Sequence, residues 1–210
     1  MAQPQRVAGL AYGAVAPTQW GQRERTLDFF DLKGDLEALL APVQAQFEPA
    51  QHPAMHPGRC AQVRLGDRVI GHLGELHPRW RQAYELPQAP LVFELDLDAV
   101  MDRPLPQVQP VARHQGVWRD LALVASERVT HDSLIQALRA DPDGLVQAVT
   151  LFDVYRPAAA VPELAEGERS LAVRLELLDA ETTLTDERID AAVAAAVARV
   201  QSAFGGRLRA

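Results

Sequence analysis

The second half of the sequence predicts the element order strand–helix–strand–strand–helix–strand, which restricts the fold more than any other feature of the chain. Its clearest strand is residues 170–177, in which apolar side chains take every second position. The apolar positions are Leu171, Val173, Leu175 and Leu177, and the positions between them are Ser170, Ala172, Arg174 and Glu176. This alternation indicates that one face of the strand is buried and the other is open. Together, order and alternation predict a ferredoxin-like βαββαβ domain, in which two helices cover one side of an antiparallel sheet.

Local signals place both helices of this domain. Thr130 and Thr185 are predicted N-caps, because a threonine hydroxyl can accept a hydrogen bond from a backbone N–H of the first helical turn. Gly205 and Gly206 are expected to end the second helix, since glycine readily adopts the left-handed conformation that follows a helix.

The first hundred residues predict a separate α+β unit. Leucines spaced three and four apart predict a helix over 32–40, with Asp31 as its N-cap. The Gly66-Asp67 pair predicts the turn of a hairpin, and Pro78 predicts the start of a short helix. Residues 91–98 predict a strand with alternating apolar positions.

Prolines mark the boundary between the two units. Pro104, Pro106 and Pro110 exclude a helix or a central strand in this segment. We therefore predict an α+β chain of three parts. These are an antiparallel sheet module at 1–100, a proline-rich linker at 101–112 and the ferredoxin-like domain at 113–210.

Composition limits the cellular compartment and the type of binding that we expect for this chain. No apolar run approaches the roughly 20 residues that span a bilayer, and the first residues do not form a signal peptide. Cys60 is the single cysteine, which excludes an internal disulfide and fits a reducing compartment. We expect a cytoplasmic protein with no membrane contact. The net charge of −7 also disfavours a free-standing DNA or RNA binder that relies on bulk phosphate attraction, but not a reader of a few bases within a larger assembly.

The sequence contains no motif for catalysis. It has neither a glycine-rich phosphate-binding loop nor a nucleophile elbow, so no catalytic residue is assigned. Four histidines near Cys60 raise the alternative of a zinc-dependent hydrolase; they are His52, His56, His72 and His77. Their spacing does not match a zinc finger and one thiol is too few for a sulfur-rich site, so we expect neither a metal nor a cofactor.

The open sheet face carries the candidate binding residues. Unstacked RNA bases can lie on such a face, where aromatic rings stack on them and arginines contact phosphates or base edges. The candidates are Tyr155, Arg156, Arg174, Ser170, Asp153 and Arg119. From the residues alone, a sheet that docks a protein partner or a small regulatory molecule is supported at least as well, because this fold serves many functions.

Six phrases in a fixed order resemble a known family. In the second half they are R-D-L-A-L at 119–123, L-F-D-V-Y-R at 151–156 and T-L-T-D-E at 183–187. In the first half they are D-F-F-D-L-K-G-D-L-E-A-L-L at 28–40, H-P-G-R at 56–59 and G-E-L-H-P at 74–78. These phrases are similar to the C-terminal part of the bacterial phenylalanyl-tRNA synthetase beta chain. That part consists of the end of a catalytic-like module and a ferredoxin-fold anticodon-binding domain. The chain departs from the family pattern at His114-Gln115, where an aromatic–proline pair is usual, and at Pro157, where glycine is common.

The resemblance implies a part of a tRNA ligase. The intact enzyme would be an (αβ)2 tetramer that uses ATP and Mg²⁺ to charge tRNA-Phe, with its active site in the alpha chain. The first unit would have a class II synthetase-like fold without an active site and would serve subunit assembly. The second unit would bind the anticodon region of tRNA-Phe. On its own this stretch would be inactive and would hold no cofactor. The competing hypothesis is a protein-interaction module that makes no RNA contact.

Overall fold

The structure is a computed structural model that describes residues 3–105, 108, 111–157 and 161–209. The chain divides into two compact units, Met1–Gln107 and Val108–Ala210. The predicted linker at 101–112 falls partly outside the described residues, since positions 106, 107, 109 and 110 are not among them.

The first unit is built on a five-stranded antiparallel sheet with the order β1-β5-β4-β3-β2. Its strands are β1 (Arg6–Ala11), β2 (Gln46–Pro49), β3 (Met55–Leu65), β4 (Arg68–Leu76) and β5 (Leu91–Asp96). Its helices are α1 (Phe29–Leu40), α2 (Pro78–Ala83) and α3 (Leu97–Met101). The predicted hairpin and the short helix that begins at Pro78 are both present.

Helix α1 contributes to the core of this unit through one stripe of leucines. Leu32, Leu36 and Leu40 are buried and belong to the same apolar cluster as Leu73 and Leu95 of the sheet. This cluster is the main source of stability, because burial of apolar area drives folding.

Two local predictions for this unit are wrong. The N-cap of α1 is Asp28, not Asp31, because the Asp28 carboxylate accepts hydrogen bonds from the first-turn N–H groups. Asp31 instead accepts a hydrogen bond from the backbone N–H of Asp28, which completes a capping box. The strand predicted at 91–98 ends at Asp96, whose side chain caps α3 through the N–H of Asp98.

The second unit confirms the predicted ferredoxin-like order. Its strands are β6 (Val117–Ser126), β7 (Val146–Tyr155), β8 (Glu168–Leu177) and β9 (Arg207–Leu208), arranged as β7-β8-β6-β9. Its helices are α4 (His131–Arg139) and α5 (Asp186–Phe204). The predicted N-caps Thr130 and Thr185 accept hydrogen bonds from Ser133 N–H and Arg188 N–H. Gly205 ends α5 in the left-handed conformation, with φ of 65°.

Both helices pack against the same side of this sheet. The apolar cluster joins buried residues of α4 and α5, such as Leu134 and Val200, to Leu123, Val173 and Leu175 of the strands. The predicted alternation along β8 is confirmed on this side, where all four leucine and valine positions are buried. The opposite side of the sheet is therefore the surface that the fold leaves for binding.

Candidate nucleic-acid interface

Strand register assigns side chains to the open face of the second sheet. Residues paired directly across antiparallel strands share a face. Arg174 on the central strand β8 pairs with Asp120 on β6 and with Thr150 on β7. Two residues further along β8, Glu176 pairs with Trp118. These side chains therefore lie together on the side away from the helices.

An arginine–carboxylate pair lies at the centre of this face. Arg174 donates from Nε and Nη2 to the two carboxylate oxygens of Asp120, both at 2.7 Å. These hydrogen bonds lower the pKa of Asp120 and raise the pKa of Arg174, with charge attraction acting in the same directions. The Arg174 guanidinium also lies 5.6 Å from the ring centre of Phe152. Arg174 is thus held in one orientation while its side chain stays about half exposed.

Tyr155 lies at the end of β7 and is 40% exposed. The guanidinium of Arg209, which follows β9, lies 4.9 Å from the centre of its ring. This cation–π contact brings a positive charge beside a partly exposed ring. A base that stacks on the exposed part of Tyr155 would therefore have a cation close by for its phosphate.

Asp153 precedes Tyr155 by two residues on β7, and Arg156 follows directly after the strand. Arg156 forms a 3.4 Å ion pair with Glu127, and both side chains are more than half exposed. Asp153 is exposed and pairs in register with Ala172, which places it on the open face. Register thus assigns Asp153 to the open face, whereas Arg156 has no register partner that assigns it to a face.

Ser170 lies on the open face, as the alternation predicts, but little of its surface is exposed. It is only 4% exposed, although its register partners Tyr155 and Val124 place it on the side away from the helices. Val124 and Leu164 are also buried and lie outside the helix-side cluster. Little surface at this end of the open face is therefore accessible, and the role of Ser170 as a contact residue stays a prediction.

Arg207 of β9, which pairs with Val124, links this end of the sheet to the segment before β8. Its guanidinium donates to both carboxylate oxygens of Glu168, at 2.6 and 2.8 Å, and to the carbonyl of Glu163 at 3.1 Å. Glu168 also accepts from the N–H of Ala165, and these bonds lower its pKa to about 2. The segment before β8 is thus tied to the C-terminal strand.

Arg119 lies on the other side of the sheet from Arg174. It pairs with Leu175, a core residue, and is flanked along β6 by Trp118 and Asp120 of the open face. Its Nη1 donates to the carbonyl of Trp118 at 3.1 Å. The structure therefore does not bring Arg119 together with the other candidates.

Two aromatic residues of the open face were not predicted. Trp118 is 64% exposed and Phe152 is 54% exposed. Trp118 could have been found from its spacing, because it precedes Asp120 by two residues and so shares its face. Phe152 could not, because the register shift between Leu151 and Asp153 is a bulge that breaks the alternation of β7.

Two of the four histidines considered as zinc ligands lie close together in the first unit. His52 and His72 lie with ring centres 5.1 Å apart, and burial together with the neighbouring His52 lowers the pKa of His72. Among the described residues, no group of three or more histidine, cysteine, aspartate or glutamate side chains could hold a metal ion. Within the same residues, no helix combines the length and apolar character needed to cross a membrane.

Comparisons with known proteins cover both units. The family model for the phenylalanyl-tRNA synthetase beta chain CLM domain matches residues 1–97, and that for the ferredoxin-fold anticodon binding domain matches residues 112–209. The chain is 49% identical over 214 residues to the phenylalanine–tRNA ligase beta subunit of Ralstonia nicotianae. It is 46% identical over 213 residues to that of Burkholderia pseudomallei, and 45% identical over 207 residues to that of Neisseria meningitidis serogroup B. These alignments cover 99–100% of the chain but 26% of each relative, so the chain spans about a quarter of their length.

Proposed function

Because the chain belongs to the phenylalanyl-tRNA synthetase beta chain family, we propose that its second unit binds the anticodon region of tRNA-Phe. The observation that carries the proposal is the open face of the second sheet. It presents Tyr155, Phe152 and Arg174 from two adjacent strands, in a domain that matches the anticodon-binding family model. Aromatic rings and arginines on an open sheet are the groups that bind unstacked RNA bases.

The first unit has a different role in this proposal. It contributes to assembly with the alpha chain, and the whole protein acts as part of an (αβ)2 tetramer that charges tRNA-Phe with phenylalanine in the cytoplasm. ATP and Mg²⁺ are used by the alpha chain of that enzyme. The 210-residue chain by itself is expected to have no ligase activity and to need no cofactor.

The alternative, a protein-interaction module without RNA contact, is less favoured. A protein partner on the open face would have to desolvate Arg174, Asp120, Glu176 and Asp153 together. Removing charges from water is costly unless the partner supplies well-placed hydrogen bonds to them. A nucleotide loop can instead stack on the rings and leave the charged groups in contact with water.

Titration of labelled tRNA-Phe with the 210-residue chain tests the proposal. Tyr155→Ala is expected to weaken binding about tenfold, because loss of one base–aromatic stack typically costs about 1–3 kcal/mol. Arg174→Ala is also expected to weaken binding, since it removes a cation and leaves Asp120 unneutralised. Tyr84→Ala is the matched control, because Tyr84 is an exposed aromatic residue of the first unit and its loss should leave affinity unchanged.

The competitor in this titration is tRNA-Phe with an exchanged anticodon loop. It should bind more weakly than the native sequence, since the loop bases lie against the sheet. Equal binding of both RNAs, or equal affinity of Tyr155→Ala and the unchanged chain, would overturn the proposal.

A further inference from the structure

The open face of the second sheet exposes two aromatic side chains, Trp118 and Phe152, to which the proposal above assigns no base of the RNA. Trp118 lies near the start of β6 and Phe152 lies on β7, with β8 between them. More than half of each side chain is in contact with solvent. Exposed aromatic rings on an open sheet face are groups on which unstacked RNA bases can stack.

Strand geometry separates the two rings into distinct positions. The backbones of β6 and β7 are two strand spacings apart, which is roughly 10 Å. Rings in direct contact have centres within about 7 Å. Trp118 and Phe152 therefore offer two separate stacking surfaces, and Arg174 lies between them on β8 beside Phe152.

The open face between Tyr155 and Trp118 is long enough for several nucleotides. From the row of Ser170 and Tyr155 to the row of Glu176 and Trp118 the distance along β8 is six residues, or roughly 20 Å. At the Tyr155 end, Ser170 and Val124 are buried, whereas Trp118 at the other end is 64% exposed. A bound strand that contacts Tyr155 can continue along the open face toward Trp118.

We propose that Trp118 and Phe152 are two further base-stacking positions, each taking one unpaired base of the tRNA loop, with Arg174 contacting the phosphates between them. This inference rests on the proposed function and extends the RNA contact from Tyr155 along the open face of the sheet to Trp118. Two aromatic rings with Arg174 between them match a strand of nucleotides. The bases are flat and can stack on the rings, and the phosphates that link them are anionic. A protein surface would bury Asp120 and Glu176 between the rings and desolvate both carboxylates.

A single-tryptophan chain tests the inference directly. Trp20 and Trp80 lie in the first unit, so Trp20→Phe with Trp80→Phe leaves Trp118 as the only tryptophan reporter. Titration with tRNA-Phe is expected to quench the Trp118 emission along the same binding curve that labelled tRNA gives. Stacking brings the base against the indole ring, so the emission should respond to binding itself.

Affinity measurements in the unchanged background complete the experiment. Trp118→Ala and Phe152→Ala are each expected to weaken tRNA-Phe binding about tenfold, whereas Trp118→Phe retains most of the affinity because it keeps a ring. Tyr84→Ala is the matched control, since Tyr84 is an aromatic residue of the first unit with 66% exposure. Circular dichroism and the unfolding temperature establish that each variant is folded.

The outcomes separate this inference from the proposed function. If the unchanged chain does not bind tRNA-Phe, the proposed function fails and the inference fails with it. If binding depends on Tyr155 but Trp118 emission and the Trp118→Ala affinity do not change, the inference alone is overturned. If Trp118→Ala leaves tRNA binding intact but prevents association with the alpha chain, the surface belongs to a protein contact and the inference is again overturned.

Discussion

The guanidinium of Arg174 and the carboxylate of Asp120 form a two-bond ion pair across β8 and β6, with both donor–acceptor distances at 2.7 Å. The pair lies on the open face, and Asp120 neutralises the arginine that is best placed to meet a phosphate. Asp120 therefore limits the attraction that this face can exert on an anion. It also fixes the guanidinium plane, because a bidentate pair restricts both orientation and position.

Asp120→Asn is expected to strengthen tRNA-Phe binding at low salt. The substitution removes one negative charge and leaves the Arg174 charge available to a phosphate. For single strands each such contact adds about 0.7 to the slope of log affinity against log salt, so the dependence on salt should steepen by about that amount. Asp190→Asn is the matched control, because Asp190 is an exposed carboxylate on α5, which packs on the helix side. Weaker or unchanged binding by Asp120→Asn would contradict the prediction.

The element order of the second unit was predictable because its signals are local. Thr130 and Thr185 cap their helices through hydrogen bonds to residues three positions away, and Gly205 ends α5 through its own backbone angles. The alternation of β8 likewise needs no partner to be recognised. A fold can be predicted from one sequence where capping residues, periodicity and turn residues indicate the same helices and strands.

The errors arose where non-local contacts or irregular geometry decide the outcome. Ser170 follows the alternation, yet it is only 4% exposed, which the pattern of one strand does not reveal. The exposure of Phe152 depends on a bulge that no spacing rule reveals. Asp28 and Asp31 both bond the start of α1, so composition alone could not tell which was the cap.

Asp141→Ala is expected to destabilise the second unit by about 3 kcal/mol. The Asp141 side chain is 3% exposed, and its Oδ2 accepts from the N–H groups of Leu145 and Val146 at 2.7 and 3.1 Å. Each lost hydrogen bond to a charged acceptor costs about 1.5–3 kcal/mol, and the Arg199 guanidinium, at 3.7 Å, loses its counter-charge as well. Urea unfolding followed by Trp118 emission in the single-tryptophan chain measures the loss.

The control for this substitution lies two residues along the chain. Asp143→Ala removes an exposed carboxylate from the same loop and should change the free energy of unfolding by less than about 0.5 kcal/mol. Equal losses for the two variants would show that Asp141 does not hold the start of β7.

Glu168→Gln is expected to destabilise the second unit in a pH-dependent way. Hydrogen bonds from Arg207 and from the N–H of Ala165 lower the pKa of Glu168 from its ordinary 4.5 to about 2. Because the folded pKa lies below the unfolded one, the ionised carboxylate contributes its full stabilisation above pH of about 5. That contribution is lost as the pH falls from 4.5 toward 2. Thermal unfolding of both proteins between pH 7 and pH 3 measures the difference.

The quantity to compare at each pH is the difference in unfolding temperature between the unchanged chain and Glu168→Gln. It should be constant from pH 7 to pH 5 and should shrink steadily below that, because glutamine has no proton to gain. A difference that stays constant down to pH 3 would rule out the Glu168–Arg207 pair as the source of the stabilisation.

Asp28→Ala is expected to destabilise the first unit by about 1 kcal/mol, the usual effect of removing an N-cap. The Asp28 carboxylate accepts from the N–H groups of Phe30 and Asp31 at 2.8 and 3.2 Å, and α1 contributes its buried leucines to the core of the unit. Loss of the cap frays the first turn, and the leucine stripe then packs less firmly. Urea unfolding followed by Trp80 emission, in a chain with Trp20→Phe and Trp118→Phe, reports on this unit.

Two companion variants distinguish the loss of capping from the loss of charge. Asp28→Ser removes the charge but keeps an oxygen acceptor, so it should restore most of the lost stability. Asp35→Ala removes an exposed carboxylate from the second turn of the same helix and should be neutral or slightly stabilising, because alanine is the better helix former. If Asp28→Ser were as unstable as Asp28→Ala, the charge of Asp28 at the helix N-terminus, and not its hydrogen bonds, would hold the start of α1.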